Sequence, residues 1–347
     1  MIKRNRRKTV PCCCPVDIQQ LESRQLLTGT VTVAVSKAGD ISVSGDSKDN
    51  DVFVEVNADN VTIVGNSGTS LKVGKTVIAP GVPVVVPRPA SIRDLDVNLH
   101  GGNDSIDISV NSDVVIHRNV NVWTGAGNDS VSVESNGALV DVRGSVSMNT
   151  GSGHDSVRVA DADKFAGVDT EAELLAVADD TGAASVQMIR VGKDINISTG
   201  TGNDGIALLG VEAGRDVTVN SGLGHGDVLG VSNVRAGRDM NLIWGDLNAI
   251  NNVTIVRKLR VDSGTGNDRF VVDNLHASIV DVNLGPGNDQ LAIGGTVVVT
   301  KSAKIHGGAG KDNLVSLSPL GGASVKSFEG SVVDAAAILD EVLAALV

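Results

Sequence analysis

The feature that most constrains the fold of this chain is a glycine-rich turn that ends in aspartate and occurs eight times between residues 101 and 312. The first copy is Gly101-Gly102-Asn103-Asp104, and the others keep the same plan. The aspartates that end the turns are Asp104, Asp129, Asp155, Asp204, Asp227, Asp268, Asp289 and Asp312. Repeats of this size indicate one supersecondary unit stacked many times.

Apolar residues hold fixed positions on both sides of each turn. Two and four residues after the aspartate, fifteen of sixteen positions are apolar, beginning with Ile106 and Ile108 and failing only at Ser316. Seven residues before the aspartate, allowing one inserted residue in the fifth turn, an apolar residue also stands in every copy, from Val97 to Ile305. Polar residues alternate with them, which is the pattern of strands with one buried face.

The spacing of the aspartates sets the size of the repeating unit. Successive aspartates lie 25, 26, 49, 23, 41, 21 and 23 residues apart. We interpret each of the two long intervals as two coils, one of which has lost its motif, so that one coil has about 20 to 26 residues. A unit this short cannot bury its own apolar face, so neighbouring units must share one core. The sequence therefore predicts an all-β fold, a parallel β-helix or solenoid, right-handed by the rule for parallel crossovers.

The chain divides into four predicted parts. They are a basic leader at 1–29, N-terminal β coils at 30–98 with a proline-rich excursion at 79–91, the solenoid with its turns at 99–317, and a C-terminal cap at 318–347. A loop insertion is expected at 161–190, and a short amphipathic helix at Val332–Val347 is expected to cover the open end. Asp51 is predicted to end a degenerate first turn, with two further coils and the excursion between it and Asp104.

Composition and charge exclude several classes of function. The formal net charge is −12, and the first 29 residues are basic, so the remainder is more acidic still. Such a body argues against nucleic acid or anionic lipid as a partner and suits a protein that meets cations. No stretch is long and apolar enough for a transmembrane segment. The three cysteines, Cys12 to Cys14, are adjacent in the leader, so no disulfide links the rest of the chain.

Residues Leu21–Leu27, which read LESRQLL, follow an arginine-rich start and precede the first strand-like run. The segment resembles the LEPR-XLL leader of large secreted or surface bacterial proteins, with Ser23 in place of the proline of that family. The resemblance implies export to the cell exterior. The alternative is a disordered basic tail.

The last turn and its flanks, Gly307 to Val315, fit the pattern G-G-x-G-x-D-x-U-x in full. This resembles the RTX, or haemolysin-type, calcium-binding repeat. The resemblance implies Ca²⁺ as cofactor, bound by backbone carbonyls and by the aspartates, namely Asp104, Asp129, Asp155, Asp204, Asp227, Asp268, Asp289 and Asp312. The chain departs from that family because it has one turn per longer coil and because six copies lack the first glycine. Their substitutes are Thr124, Thr150, Thr199, Ser221, Ser263 and Leu284.

A purely structural role for the turns stays open, because glycine and aspartate are also the residues that tight turns require. We expect a non-catalytic extracellular or cell-surface solenoid that binds calcium at its stacked turns and has a structural or adhesive role toward surface or matrix components. Residues Ala213–Val219 are similar to coils of filamentous-haemagglutinin-like adhesins. The alternative is a polysaccharide lyase or hydrolase, since such enzymes also use parallel β-helices. Evenly spaced acids and scarce aromatic residues argue against a catalytic cleft.

Overall fold

The computed structural model describes residues 29–87, 92–161, 189–222, 224, 226–316 and 323–328. The leader before Gly29, most of the 161–190 insertion and the predicted C-terminal helix lie outside these residues. Within them, no helix is present that could cross a membrane. The strands are β1 Thr30–Val35, β2 Ile41–Ser44, β3 Asp51–Val56, β4 Asn60–Gly65, β5 Ser70–Val73, β6 Thr76–Ile78, β7 Val84–Pro87, β8 Leu95–Asn98, β9 Ser105–Val110, β10 Val114–Ile116, β11 Val120–Trp123, β12 Ser130–Ser135, β13 Val140–Val142, β14 Val146–Asn149, β15 Ser156–Asp161, β16 Ile189–Val191, β17 Ile195–Ser198, β18 Gly205–Leu209, β19 Val211–Ala213, β20 Val217–Asn220, β21 Val228–Ser232, β22 Arg235–Ala236, β23 Asp239–Ile243, β24 Leu247–Asp262, β25 Arg269–Asn283, β26 Gln290–Gly294, β27 Val298–His306, β28 Asn313–Ser316 and β29 Ser324–Lys326.

The strands stack coil upon coil into three parallel sheets. The entry sheet, formed by strands that lead into the turns, contains β8, β11, β14, β17, β20 and β23 in that order. The exit sheet, formed by strands that leave the turns, contains β9, β12, β15, β18 and β21. The third sheet contains β10, β13, β16, β19 and β22. This is a β-solenoid of about nine turns, so the predicted parallel β-helix is confirmed.

The core is one continuous apolar column inside the coils. The predicted apolar positions point inward, as at Val122 and Ile197, which are 0% and 1% exposed. Burying each such side chain stabilises the folded chain by about 1.5–3 kcal/mol. The pattern weakens at the last coil, where Leu314 is half-buried and Ser316 is exposed. The strand alternation in the sequence therefore located the core correctly.

The two long aspartate intervals have different explanations. Between Asp227 and Asp268 the chain makes two coils as predicted, because β24 pairs with β21 on one side and with β25 on the other. Between Asp155 and Asp204 the prediction of two coils is wrong. There β15 pairs directly with β18, and β13 with β16, so the strands on either side of residues 162–188 belong to neighbouring coils. An insertion lengthens that interval without adding a coil.

The N-terminal part also departs from the prediction. Strand β3 pairs in parallel with β9, so no further coil separates the first turn from Asp104. The intervening chain forms antiparallel strands instead, with β4 on β3, β7 on β4 and β6 on β5. The register pairs Asp51 with Ser105, which places Asn50, not Asp51, in the position of the aspartates. Two coils were predicted here because only length was considered, and an antiparallel excursion uses the same length.

Candidate functional site: an internal aspartate ladder

The eight predicted aspartates form a single row in which each contacts the next coil. The backbone N–H of one aspartate donates a hydrogen bond to the Oδ1 atom of the aspartate in the following coil, over 2.8–3.0 Å at six of the steps. Asn50 begins the row by donating its N–H to Asp104 Oδ1 over 2.8 Å. We call this row the aspartate ladder. Its members are Asn50, Asp104, Asp129, Asp155, Asp204, Asp227, Asp246, Asp268, Asp289 and Asp312.

Asp246 is a member that the sequence analysis missed. Its turn, Gly245-Asp246, is too short to match the repeat. The Asp227 N–H donates to Asp246 Oδ2 over 3.2 Å, and the Asp246 N–H donates to Asp268 Oδ1 over 2.7 Å. The signal that could have found it is an aspartate preceded by glycine near the middle of the 41-residue interval.

The carboxylates of the eight predicted aspartates are inside the molecule. These residues are only 0–3% exposed. The glycines make this orientation possible, because Gly127 and Gly153 have φ angles of +142° and +141°, which side chains with a Cβ resist. A Cβ on Gly127 would lie 1.7 Å from the carbonyl oxygen of Gly102 in the neighbouring coil. The turns therefore stack at a distance that only glycine permits.

A row of hydroxyl groups lies beside the ladder. It occupies the position five residues before the aspartate, where the RTX pattern has its first glycine, and Thr124, Thr150 and Thr199 there are all 0% exposed. The Thr124 hydroxyl donates to Asp129 Oδ2 over 2.6 Å. In the sequence these residues stand where the RTX pattern has glycine, and the recurrence of hydroxyl residues at one fixed offset from the aspartate is the signal that indicates this row.

Burial changes the acidity of the ladder. Burial raises the pKa of Asp104 to about 7, against the opposing hydrogen bonds from Asn50. Burial likewise raises the pKa of Asp289 to about 6, although the hydrogen bond from the Asp268 N–H opposes it. Burial also raises the pKa of Asp129, Asp155 and Asp204, and a threonine hydroxyl opposes the rise at each. A buried carboxylate favours its neutral form unless donors surround it.

Several carboxyl oxygens of the ladder have no hydrogen-bond partner. They are the buried Oδ2 atoms of Asp104, Asp155, Asp204, Asp289 and Asp312. At Asp104, Asp289 and Asp312 the hydroxyl position holds Leu99, Leu284 and Gly307, none of which has a hydroxyl. An unpaired buried carboxylate oxygen is costly, so a proton or a cation at these atoms would stabilise the folded chain.

The oxygens at the turns fit a stack of hydrogen bonds better than a calcium cage. Calcium takes six to eight oxygen ligands. Here one carboxylate oxygen of each ladder aspartate accepts a backbone N–H, and turn carbonyls are also engaged, since Gly102 N–H donates to Ala126 O over 2.9 Å and Gly127 N–H to Ser152 O over 2.8 Å. Among the described residues, no three His, Cys, Asp or Glu side chains are grouped to hold a metal.

Other rows reinforce the stacking from outside. One residue before the aspartates, Asn128 N–H donates to Asn103 Oδ1 over 2.8 Å, and His154 N–H donates to Asn128 Oδ1 over 2.9 Å. At the corner that leads into the entry sheet, ion pairs join coils, as between Arg215 and Asp194 at 3.3 Å. Exposed pairs of this kind contribute about 0–1 kcal/mol each.

Comparison with protein-family models, with curated proteins and with solved structures finds no match to this chain. The similarities of residues 307–315 to RTX repeats and of residues 21–27 to an export leader therefore stay predictions.

Proposed function

We propose that this chain is a non-catalytic β-solenoid of the cell exterior with a structural or adhesive role, in which the aspartates join coils and do not act on a substrate. The observation that carries this proposal is the direction of the ladder. Its carboxylates face the interior, 0–3% exposed, and each is bonded to the backbone of the neighbouring coil. Groups in that position hold the solenoid together but cannot reach a polymer outside it.

The outward-facing acids support the same proposal. A glycosidase or lyase needs carboxylates or bases grouped at a cleft. In the described part of the chain, acids such as Asp94, Asp194 and Asp216 are distributed along a corner and paired with arginines of the following coil. An assay for release of reducing ends or unsaturated products from a panel of polysaccharides tests this point, and turnover would contradict the proposal.

The exterior location depends on the resemblance of the leader. We expect antibody labelling of intact cells to reach the chain, and replacement of residues 1–29 by a neutral segment of equal length to retain it inside. Labelling only after the cells are opened would contradict this location.

Calcium is a second candidate role for the ladder. It is favoured by the unpaired Oδ2 atoms of Asp104, Asp289 and Asp312, since a bound cation would coordinate carboxylate oxygens that are otherwise buried without a partner. Our proposal gives the ladder a structural role without an ion, so thermal unfolding midpoints at pH 7.5 should be equal in calcium and in chelator.

The two roles are separable by measurement. An ion that binds only the folded chain stabilises it by about 2.7 kcal/mol at a hundred times its dissociation constant. A midpoint that rises with calcium but not with magnesium, and that no longer rises in Asp289→Asn, would assign the ladder to calcium. An equal rise with both ions would indicate screening of the acidic surface.

A further inference from the structure

A strip of the entry sheet that begins one coil after Asp96 lacks charge. The outward-pointing residues of β11, β14, β17 and β20 in the entry sheet are asparagine, serine, threonine and one tryptophan, and none is charged. We call these residues the amide face. The outward row of the third sheet at the same height differs, since it contains Asp141, Arg190 and Glu212. With charged residues making up 20% of the chain, the uncharged strip distinguishes this face from its neighbours.

An exposed tryptophan stands on the amide face. Trp123 is 48% exposed, whereas the second tryptophan of the chain, Trp244, is 1% exposed in the core. In the register of the entry sheet, Trp123 lies between Asn98 and Asn149 on the adjacent coils. Neighbouring strands are about 4.8 Å apart, so the indole has an amide on either side along the solenoid axis. A ring in this setting is an open apolar surface bordered by hydrogen-bonding groups.

Exposed amides lie on the same face. Asn149 is next to Trp123, and Asn196 is two coils from Trp123 and level with Asn121. Each amide offers two donor hydrogens and an acceptor oxygen. Asn121 is held in place, donating to Asp96 Oδ1 over 2.7 Å. The face therefore combines one fixed amide, exposed amides and an aromatic ring.

We propose that the amide face binds a neutral polysaccharide, which lies across β11, β14 and β17 with one sugar ring stacked on Trp123. A sugar ring has an apolar C–H face that packs on an aromatic ring and hydroxyl groups at its edge that pair with amides. The charges fit an uncharged ligand, because the amide face has none, the adjacent Asp96 already accepts a hydrogen bond from Asn121, and the chain as a whole, at −12, repels acidic polymers. This inference depends on the proposed adhesive function and supplies its partner.

The test is affinity electrophoresis of the full chain in gels that contain soluble neutral glucan, mannan or xylan, with a uronic acid polymer for comparison. We expect at least one neutral polymer to slow migration. Trp123→Ala should weaken that binding at least about tenfold, as for a residue at the centre of an interface. Trp123→Phe, which keeps a smaller ring, should retain part of it. The matched control is Val115→Ala on the third sheet, where Val115 is 36% exposed, and it should bind normally.

Three results would overturn the inference. They are the absence of binding to every neutral polymer, equal binding by Trp123→Ala and Val115→Ala, and binding only to the acidic polymer with loss in salt. Cleavage of a bound polymer would instead contradict the non-catalytic function, while Trp123-dependent binding would still support the face. Circular dichroism of each variant shows whether a loss of binding is a loss of folding.

Discussion

At the scale of the residue, the side chain five positions before a ladder aspartate affects the acidity of its carboxyl group. Where Thr124 occupies it, the Asp129 carboxylate receives a hydroxyl hydrogen bond that opposes the effect of burial on its pKa. Where Leu99 and Leu284 occupy it, no hydroxyl opposes burial, and the pKa values of Asp104 and Asp289 reach about 7 and about 6. A hydroxyl at this position therefore favours the charged form of the aspartate beside it.

Replacing Thr124 by valine removes the hydroxyl and nearly preserves the shape. We expect Thr124→Val to lower the free energy of unfolding by about 1–3 kcal/mol at pH 7.5, the cost of leaving a buried acceptor unpaired. The loss should be smaller at pH 4.5, because Asp129 can then carry a proton. Urea denaturation at both pH values measures this. The control, Thr218→Val on the outer surface of β20, should change stability by less than about 0.5 kcal/mol, and equal losses in the two variants would contradict the role of the hydroxyl.

At the scale of the element, the glycine turn is rigid because its neighbours above and below are turns of the same shape. Gly127 meets the Gly102 carbonyl, and Gly153 would meet that of Gly127, each at 1.7 Å from an added Cβ. Any side chain there must push two coils apart and adopt a φ angle near +140°. The separation of the coils and the backbone strain would both destabilise the hydrogen bonds that join neighbouring turns.

The matched pair Gly127→Ala and Gly74→Ala separates these costs. Gly74 has a φ angle of +60° but open space around its missing Cβ, so its substitution should cost only about 1–2 kcal/mol of backbone strain. Gly127→Ala adds a collision with backbone and should cost more than about 3 kcal/mol. Thermal unfolding of both variants provides the comparison. If Gly127→Ala lost no more than Gly74→Ala, the close stacking of turns would be wrong.

The elements also show what the sequence could and could not reveal. Strand alternation identified the buried residues on either side of the turns, because inward and outward residues alternate one by one along a strand. The inward direction of Asp129 could not be read from alternation, since it follows from glycine φ angles inside the turn. The partner of Asp155 could not be read from spacing either, because an insertion and an additional coil lengthen the interval alike. Asp246 could not be recognised as a ladder member from the repeat, because its turn, Gly245-Asp246, is shorter than the others.

At the scale of the whole molecule, the solenoid should tolerate removal of the insertion. Replacing residues 162–188 by Asn-Gly-Ala-Leu, the four residues that join β12 to β13 in the preceding coil, keeps every described strand and its register. We expect the variant to keep its β-sheet circular dichroism and an unfolding midpoint within about 4 °C, because shortening a loop changes its closure entropy little. Deleting residues 130–155, a similar length that contains one whole coil, should lower the midpoint, since each coil adds to a shared core. Loss of folding in the first variant would mean that residues 162–188 contribute to the stack.

The ladder as a whole makes the stability of the molecule depend on pH. Five of its aspartates have pKa values raised by burial above the unfolded value of 3.8, to about 7 at Asp104, to about 6 at Asp289, and in the same direction at Asp129, Asp155 and Asp204. The folded chain therefore binds protons more tightly than the unfolded chain, and the stability gained from them is complete below pH 3.8 and is lost as pH rises through 6 and 7. We expect the unfolding midpoint to fall by on the order of 5 °C between pH 5 and pH 8.

Asp104→Asn should make that fall smaller, because asparagine is neutral at every pH. An asparagine fits this position of the ladder, since Asn50 already occupies it in the preceding coil and donates from Nδ2 to Asp104 Oδ1 over 3.0 Å. Asp59→Asn, at an exposed turn, should leave the fall unchanged. A midpoint that rises toward pH 8 would mean that the buried carboxylates are stabilised in their charged form.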